Sequence, residues 1–210
     1  VRPILEKQSV KHFELIGGGL MPAIGLGTWK STPGEVGAAV LEALRIGYRH
    51  IDCAWIYGNE AEIGAAFKEA FDSGIVTREE LFVTSKLWNN AHEPECVHPA
   101  IEDSLAKLGL DYLDLYLMHW PVALRREAMV PEKPEDFLPL EDVPLASTWE
   151  AMGATRSEGL ARHIGVSNFS VQRLQELRAA SDVVPAANQV EMHPHLPQDE
   201  LVDYCQDQGI

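Results

Sequence analysis

Short apolar runs rich in β-branched and aromatic residues alternate along this chain with stretches whose apolar residues recur at helical spacing. That alternation admits few folds besides consecutive βα units around a parallel sheet. The candidate strands are residues 23–26, 48–52, 81–85, 113–119, 162–166 and 187–190. Helix signals lie between them. Thr32, Pro33 and Glu35 spell a capping box with proline at the first helical position, ahead of an apolar face of Val36, Val40, Ala43 and Leu44 that Gly47 ends. Asn59 and Glu62 repeat the device before Ile63, Ala66, Phe67 and Ala70. Val97, Ile101, Leu105 and Leu108 form a third stripe ending at Gly109, and Val171, Leu174 and Leu177 a weaker one after Ser170.

Ahead of the first unit, residues 12–25 read as a hairpin turning at Gly17 to Gly19, placed to plug the bottom of a barrel. Residues 121–144 break the pattern with an acidic stretch containing five prolines. It is too long for an ordinary βα connection, and such loops are usually functional or mobile. About six βα units are present, whereas a closed eight-stranded barrel typically takes about 250 residues. The expected fold is therefore α/β: an incomplete (β/α)8 TIM barrel with an N-terminal hairpin, one domain over residues 1–210. A start at Val1 and a stop at Ile210, on the doorstep of a seventh strand, lead us to expect a partial sequence.

With 46% apolar residues the chain can build a substantial core. Its formal charge of −15 would repel nucleic acid and anionic membranes alike, so a small molecule is the expected partner. No run approaches the roughly 18 apolar residues of a membrane helix, and the opening VRPILEKQSV has no apolar signal core, which leads to the expectation of a soluble, cytoplasmic protein. Cys53, Cys96 and Cys205 are odd in number, widely spaced and without a CxxC pair, the usage of reduced thiols. His193 and His195 have metal-ligand spacing, but too few further ligands accompany them, and no metal is expected. No GxGxxG opens a helix after a strand, so a Rossmann site is not supported.

The chemistry gathers where strands end. Asp52, Lys86 and His119 each close a candidate strand, and Tyr57 lies just beyond one. In a parallel barrel those ends converge on one rim, where active sites of this architecture are built. An isolated Asp, Lys, His or Tyr there is more often an ion pair or packing; four complementary ones share a purpose. A free phenol has a pKa of about 10, and a nearby ammonium lowers it. Lys86 supplies such a charge, Asp52 holds it in place, and His119 can donate to a carbonyl oxygen and orient it.

The surrounding motifs, GLGTW (25–29), YRHIDCAWIYGNE (48–60), LFVTSKLW (81–88), LDLYLMHWP (113–121), IGVSNF (164–169) and NQVEMHP (188–194), resemble the aldo-keto reductase family in the right order over nearly the whole chain. The texture is similar to plant, algal or microbial aldehyde and aldose reductases. The resemblance implies NADPH-dependent reduction of aldehydes or ketones by a monomer, with a catalytic tetrad of Asp52, Tyr57, Lys86 and His119 and Tyr57 as general acid. It further implies cofactor contacts at Thr28, Ser167, Asn168 and Gln189, Asp52 being shared with the tetrad, and apolar pocket walls at Trp29, Trp88 and Trp120. Two residues depart from the family's pattern. Gly153 interrupts a helix, at a cost of up to about 1 kcal/mol, and Trp55 is bulky where relatives often carry a smaller or polar residue, which would narrow the pocket. The family's seventh and eighth strands, 2′-phosphate site and C-terminal loop have no counterpart before Ile210. Two other readings stand beside this one: a lyase in which Lys86 forms a Schiff base, which the Asp52 counterion argues against, and a non-catalytic cofactor-binding barrel or fragment.

Overall fold

The computed structural model describes residues 11–210; the opening VRPILEKQSV lies outside the described residues. A hairpin of β1 (His12–Glu14) and β2 (Leu20–Pro22) comes first. Strands β3 (Leu26–Gly27), β4 (His50–Asp52), β5 (Phe82–Leu87) and β6 (Leu113–Met118) follow, alternating with helices α1 (Val36–Ile46), α2 (Glu60–Asp72) and α3 (Pro94–Leu108). Strands β7 (Ala123–Leu124) and β8 (Phe137–Leu138) pair within the long loop. Then come α4 (Leu145–Ser157), β9 (Ala161–Ser167), α5 (Val171–Ala180), β10 (Asn188–Gln189) and α6 (Asp199–Gln208). The six-stranded sheet runs β10-β9-β6-β5-β4-β3 with every pair parallel. It curls into a partial barrel, as the alternation predicts.

Both central strands, β5 and β6, are buried at every position, as a sheet covered on both faces requires. Register sorts their side chains. Asp52 stands opposite Thr84 and Thr84 opposite Leu115, while Lys86 stands opposite Leu117 and Leu117 opposite Gly165. These residues share the concave face; Ile51, Val83, Leu87, Ile164 and Val166 turn outward into the core made with the helices. Gly165 is required where it lies, since a Cβ there would collide with the Ala187 carbonyl and the Leu117 side chain.

The hairpin does plug the bottom. Leu15 and Met21 pack on Phe82, Leu115, Leu117 and Ala186, and Gly19, at φ +110, sits so close to the His163 ring that a Cβ would strike it. Nearby, the buried Asp114 carboxylate accepts from the Val83 amide (2.9 Å), Arg78 (2.8 Å) and Arg162 (3.3 Å), tying β5, β6 and β9 together.

Neither capping box forms. Helix α1 starts at Val36, and its cap residue Glu35 makes no side-chain bond. Glu62 of α2 instead accepts from the Gly34 and Gly37 amides at 3.0 and 2.9 Å. Asn59 does precede α2, but its side chain caps nothing and its Nδ2 donates to the Thr28 carbonyl at 2.8 Å. A neighbouring element outbids the local turn in both cases, and a carboxylate at the amide end of α1 also meets that helix's positive pole. Ser170 behaves as expected and accepts from the Arg173 amide. Helix α4 runs unbroken through Gly153, correcting the expected interruption. The loop 121–144 is ordered: Trp88 Nε1 donates to the Met129 carbonyl (2.7 Å), Asn90 to that of Arg126 (3.0 Å), and Arg126 pairs with Glu93 and Glu95. No helix among the described residues is long and apolar enough to cross a membrane.

Candidate active site

Strand ends bring the four titratable candidates together. Asp52 ends β4, Lys86 is the penultimate residue of β5, His119 follows β6, and Tyr57 closes a single 3-10 turn, Trp55–Tyr57, just beyond β4. Lys86 is 1% exposed. Its Nζ donates to both Asp52 carboxylate oxygens at 2.9 Å, to the Cys53 carbonyl at 2.8 Å and to the Tyr57 hydroxyl at 3.4 Å. A buried cation is tolerable only when paired and hydrogen-bonded, and this one is both. The His119 ring meets the Tyr57 ring edge-on at 5.9 Å between centroids.

The electrostatics depart from expectation at Tyr57. Burial pushes its hydroxyl above the ordinary 10; the Lys86 ammonium pulls it down and the Asp52 carboxylate pushes it up again, leaving it raised. Desolvation outweighs the neighbouring cation. His119 is held down to about 3 by burial and by the Lys86 ammonium, so its ring is neutral at physiological pH. Burial, together with Glu60 and Asp52, raises the Cys53 thiol well above its usual range, which leaves it inert.

The expected cofactor contacts line the same opening. Thr28 Oγ1 donates to the Asp52 carbonyl at 2.9 Å, and Ser167 Oγ to the Gln189 carbonyl at 2.8 Å. Asn168 takes a left-handed φ of 62, which asparagine tolerates better than most residues. Its Nδ2 donates to the His119 carbonyl (3.0 Å) and to Ser167 Oγ (3.1 Å). Gln189 Nε2 reaches across to Asp52 Oδ1 at 2.9 Å, joining β10 to the end of β4.

Of the three expected walls, Trp29 stacks near Tyr57 at 6.3 Å and Trp88 meets His119 edge-on at 5.1 Å. Trp120 is exposed on the rim. Trp55 Nε1 donates to Asp103 of α3 and Lys107 lies over its ring at 5.0 Å, while the residue borders a cavity together with Lys86 and Trp88. His193 is engaged with Glu191 and with the His195 amide, and no group of three His, Cys, Asp or Glu among the described residues could hold a metal ion.

Three contributors are not singled out by the sequence. The Cys53 carbonyl is invisible there because every residue type carries one. Asn59 and Glu60 read as ordinary helix-start residues, although Glu60 is 2% exposed, an uncommon fate for a carboxylate and the signal that burial alone reveals.

Comparison with known proteins accords with this geometry. The family model described as "Aldo/keto reductase family" matches residues 23–210. An aldo/keto reductase of Synechocystis is 52% identical over 202 residues, covering 96% of this chain and 62% of that protein. The D/L-glyceraldehyde reductase of Hypocrea jecorina is 50% identical over 194 residues, covering 90% and 58%. Among solved structures, the aldose reductase of Schistosoma japonicum superposes with a TM-score of 0.90 at 45% identity, over 95% of this chain and 67% of that one. The aldo-keto reductase of Bombyx mori in complex with NADP does so with a TM-score of 0.87 at 42% identity, over 96% and 64%. The chain thus spans about three fifths of the length of the curated relatives it matches. By the family model, by its identity with these enzymes and by its curled parallel sheet, the chain belongs to the aldo/keto reductase family.

Proposed function

We propose that this protein reduces small aldehydes or ketones to alcohols with a reduced nicotinamide cofactor, Tyr57 donating the proton. The observation that carries the reading is the 3.4 Å approach of the Tyr57 hydroxyl to a buried, carboxylate-paired ammonium, with a neutral imidazole against the same ring.

The residues fit a nicotinamide at this opening. His119 Nδ1 is buried without a partner, and the side chains of Ser167, Asn168 and Gln189 gather beside it at the ends of β9 and β10, a polar cradle for a carboxamide. When bound, the cofactor supplies hydride to the carbonyl carbon. NADPH is the form the family resemblance implies, and the NADP held by the Bombyx mori enzyme accords with it.

The chain's own residues do the rest. Neutral His119 has one N–H to orient a carbonyl oxygen toward Tyr57. Tyr57, raised above 10, carries its proton throughout the physiological range and so stands ready as an acid. As that proton leaves for the nascent alkoxide, the Lys86 ammonium offsets the phenolate left behind, and Asp52 and the Cys53 carbonyl keep the ammonium in place. Trp29 beside Tyr57 and Trp88 against His119 offer apolar surface to the carbon skeleton of a substrate. A Schiff-base role for Lys86 is disfavoured, since its Nζ is buried and enclosed by the Asp52 carboxylate, the Cys53 carbonyl and the Tyr57 hydroxyl, which leaves a substrate carbonyl carbon no approach to it.

Tyr57→Phe should lower NADPH-dependent carbonyl reduction by about a thousandfold or more, the contribution of a positioned proton donor, while NADPH binding followed by fluorescence stays within a few-fold. Turnover equal to the parent's would refute the assignment of Tyr57.

A further inference from the structure

The turn that carries Tyr57 holds itself together only by local bonds, Tyr57 N–H to the Ala54 carbonyl and Gly58 N–H to that of Trp55. Side-chain bonds from residues 55–60 fasten it outward. Trp55 reaches α3 through Asp103, and Asn59 reaches the Thr28 carbonyl beside β3. Glu60 goes to the strand that bears Lys86: Ser85 Oγ, wholly buried and adjacent to Lys86, donates to Glu60 Oε1 at 2.6 Å.

This contact lies on the convex face of the sheet, behind the site, where an acid is costly to bury. Glu60 is 2% exposed, and burial pushes its carboxyl up against the hydrogen bond from Ser85 that pulls it down. Its Oε2, Ser104 Oγ and the Tyr116 hydroxyl are all buried with no partner. Such a polar group in an outer core is otherwise unexplained, since a leucine at the head of α2 would fill the space without that desolvation cost.

We infer that Glu60 is a positioning residue that sets the separation of Tyr57 from Lys86 by clamping the Tyr57 turn to Ser85. It lies three residues after Tyr57 and bonds to the immediate chain neighbour of Lys86, so the clamp ties the two segments together behind the direct contacts that Lys86 Nζ makes with Tyr57 and Cys53. The inference rests on the proposed role of Tyr57 for its kinetic consequence and on geometry alone for its structural one.

Hydrogen exchange on the folded protein reads the structural arm without any need for turnover. Glu60→Ala should speed exchange of the Tyr57 and Gly58 amides by about tenfold or more, through local opening, while the amides of β6 and β9 stay protected. Ser85→Ala, the milder variant and the one to use should Glu60→Ala not fold, should do the same, and the double variant should add little to either single one. Glu60→Gln keeps the acceptor for Ser85 and gains an amide for the orphaned hydroxyls, so it should restore the parental pattern. In the reductase assay Glu60→Ala should cut kcat by up to about a hundredfold, the expected cost of misplacing a reacting group by an ångström, with KM for the carbonyl substrate little changed and with rescue by Gln. Parental exchange at Tyr57 and Gly58 in Glu60→Ala or Ser85→Ala would overturn the clamp, as would failure of Gln to rescue. Loosened exchange with unchanged kcat would overturn its control of the Tyr57 to Lys86 separation. Unchanged turnover in Tyr57→Phe would strike the role of Tyr57 and leave the exchange result standing.

Discussion

His92 and His119 are both held at about 3, His92 by burial alone and His119 with the added repulsion of the Lys86 ammonium. The unfolded chain binds a proton at each below about 6.5, whereas the folded chain binds none until about 3. Protons therefore favour unfolding across that window, and stability must fall as pH falls through it. From pH 7 to pH 5 each ring should cost about 2 kcal/mol of folding free energy. His92, fully buried with neither ring nitrogen partnered, is the cleaner test. In urea unfolding at the two pH values, His92→Leu should lose about 2 kcal/mol less than the parent, and equal losses would mean that His92 takes up its proton without unfolding. At this scale the sequence is legible where residue type and strand-end position suffice, as for Asp52, Lys86 and His119. It is silent where orientation or burial decides. Nothing in the order of residues tells which way the Trp55 ring turns, and a neighbouring lysine predicts a lowered Tyr57 although desolvation wins.

The strands and helices themselves follow periodicity closely. All six expected parallel strands form, and Gly47 and Gly109 end α1 and α3 in left-handed conformations, as their positions predict. What periodicity cannot see is competition between a local cap and a distant one. Glu62 serves α1 rather than its own helix, and Asn59 serves the Thr28 carbonyl, each bonding a partner more than twenty residues away in sequence. Gly153 is the converse case, where an unfavourable local choice is overridden by the packing of α4 around Trp149 and Met152. Its missing side chain is not explained by crowding, since a Cβ at Gly153 would meet nothing within 4 Å. Gly153→Ala should thus raise stability by roughly 0.5–1 kcal/mol through helix propensity, seen as a higher denaturant midpoint with unchanged slope. A lower midpoint would reveal a contact that the helix needs there.

Across the molecule the sheet stops at β3 on one side and β10 on the other, and neither has an outer partner strand among the described residues. Ile24 and Met192, 66% and 59% exposed, lie close to those margins. Open parallel edges with apolar neighbours template association, while a net charge of −15 opposes it. As a 210-residue polypeptide the chain should therefore form larger species as salt screens that repulsion, detected by light scattering between low and physiological ionic strength; a salt-independent monomer would show that both margins are covered. The hairpin at the base carries a consequence for biosynthesis. It can close as soon as its own residues leave the ribosome, but its seat is made of Phe82, Leu115, Leu117 and Ala186, the last of them far downstream of the hairpin in sequence. At ordinary elongation rates that seat is completed on the order of ten seconds later, so the hairpin waits, formed but undocked, for residues made long after its own.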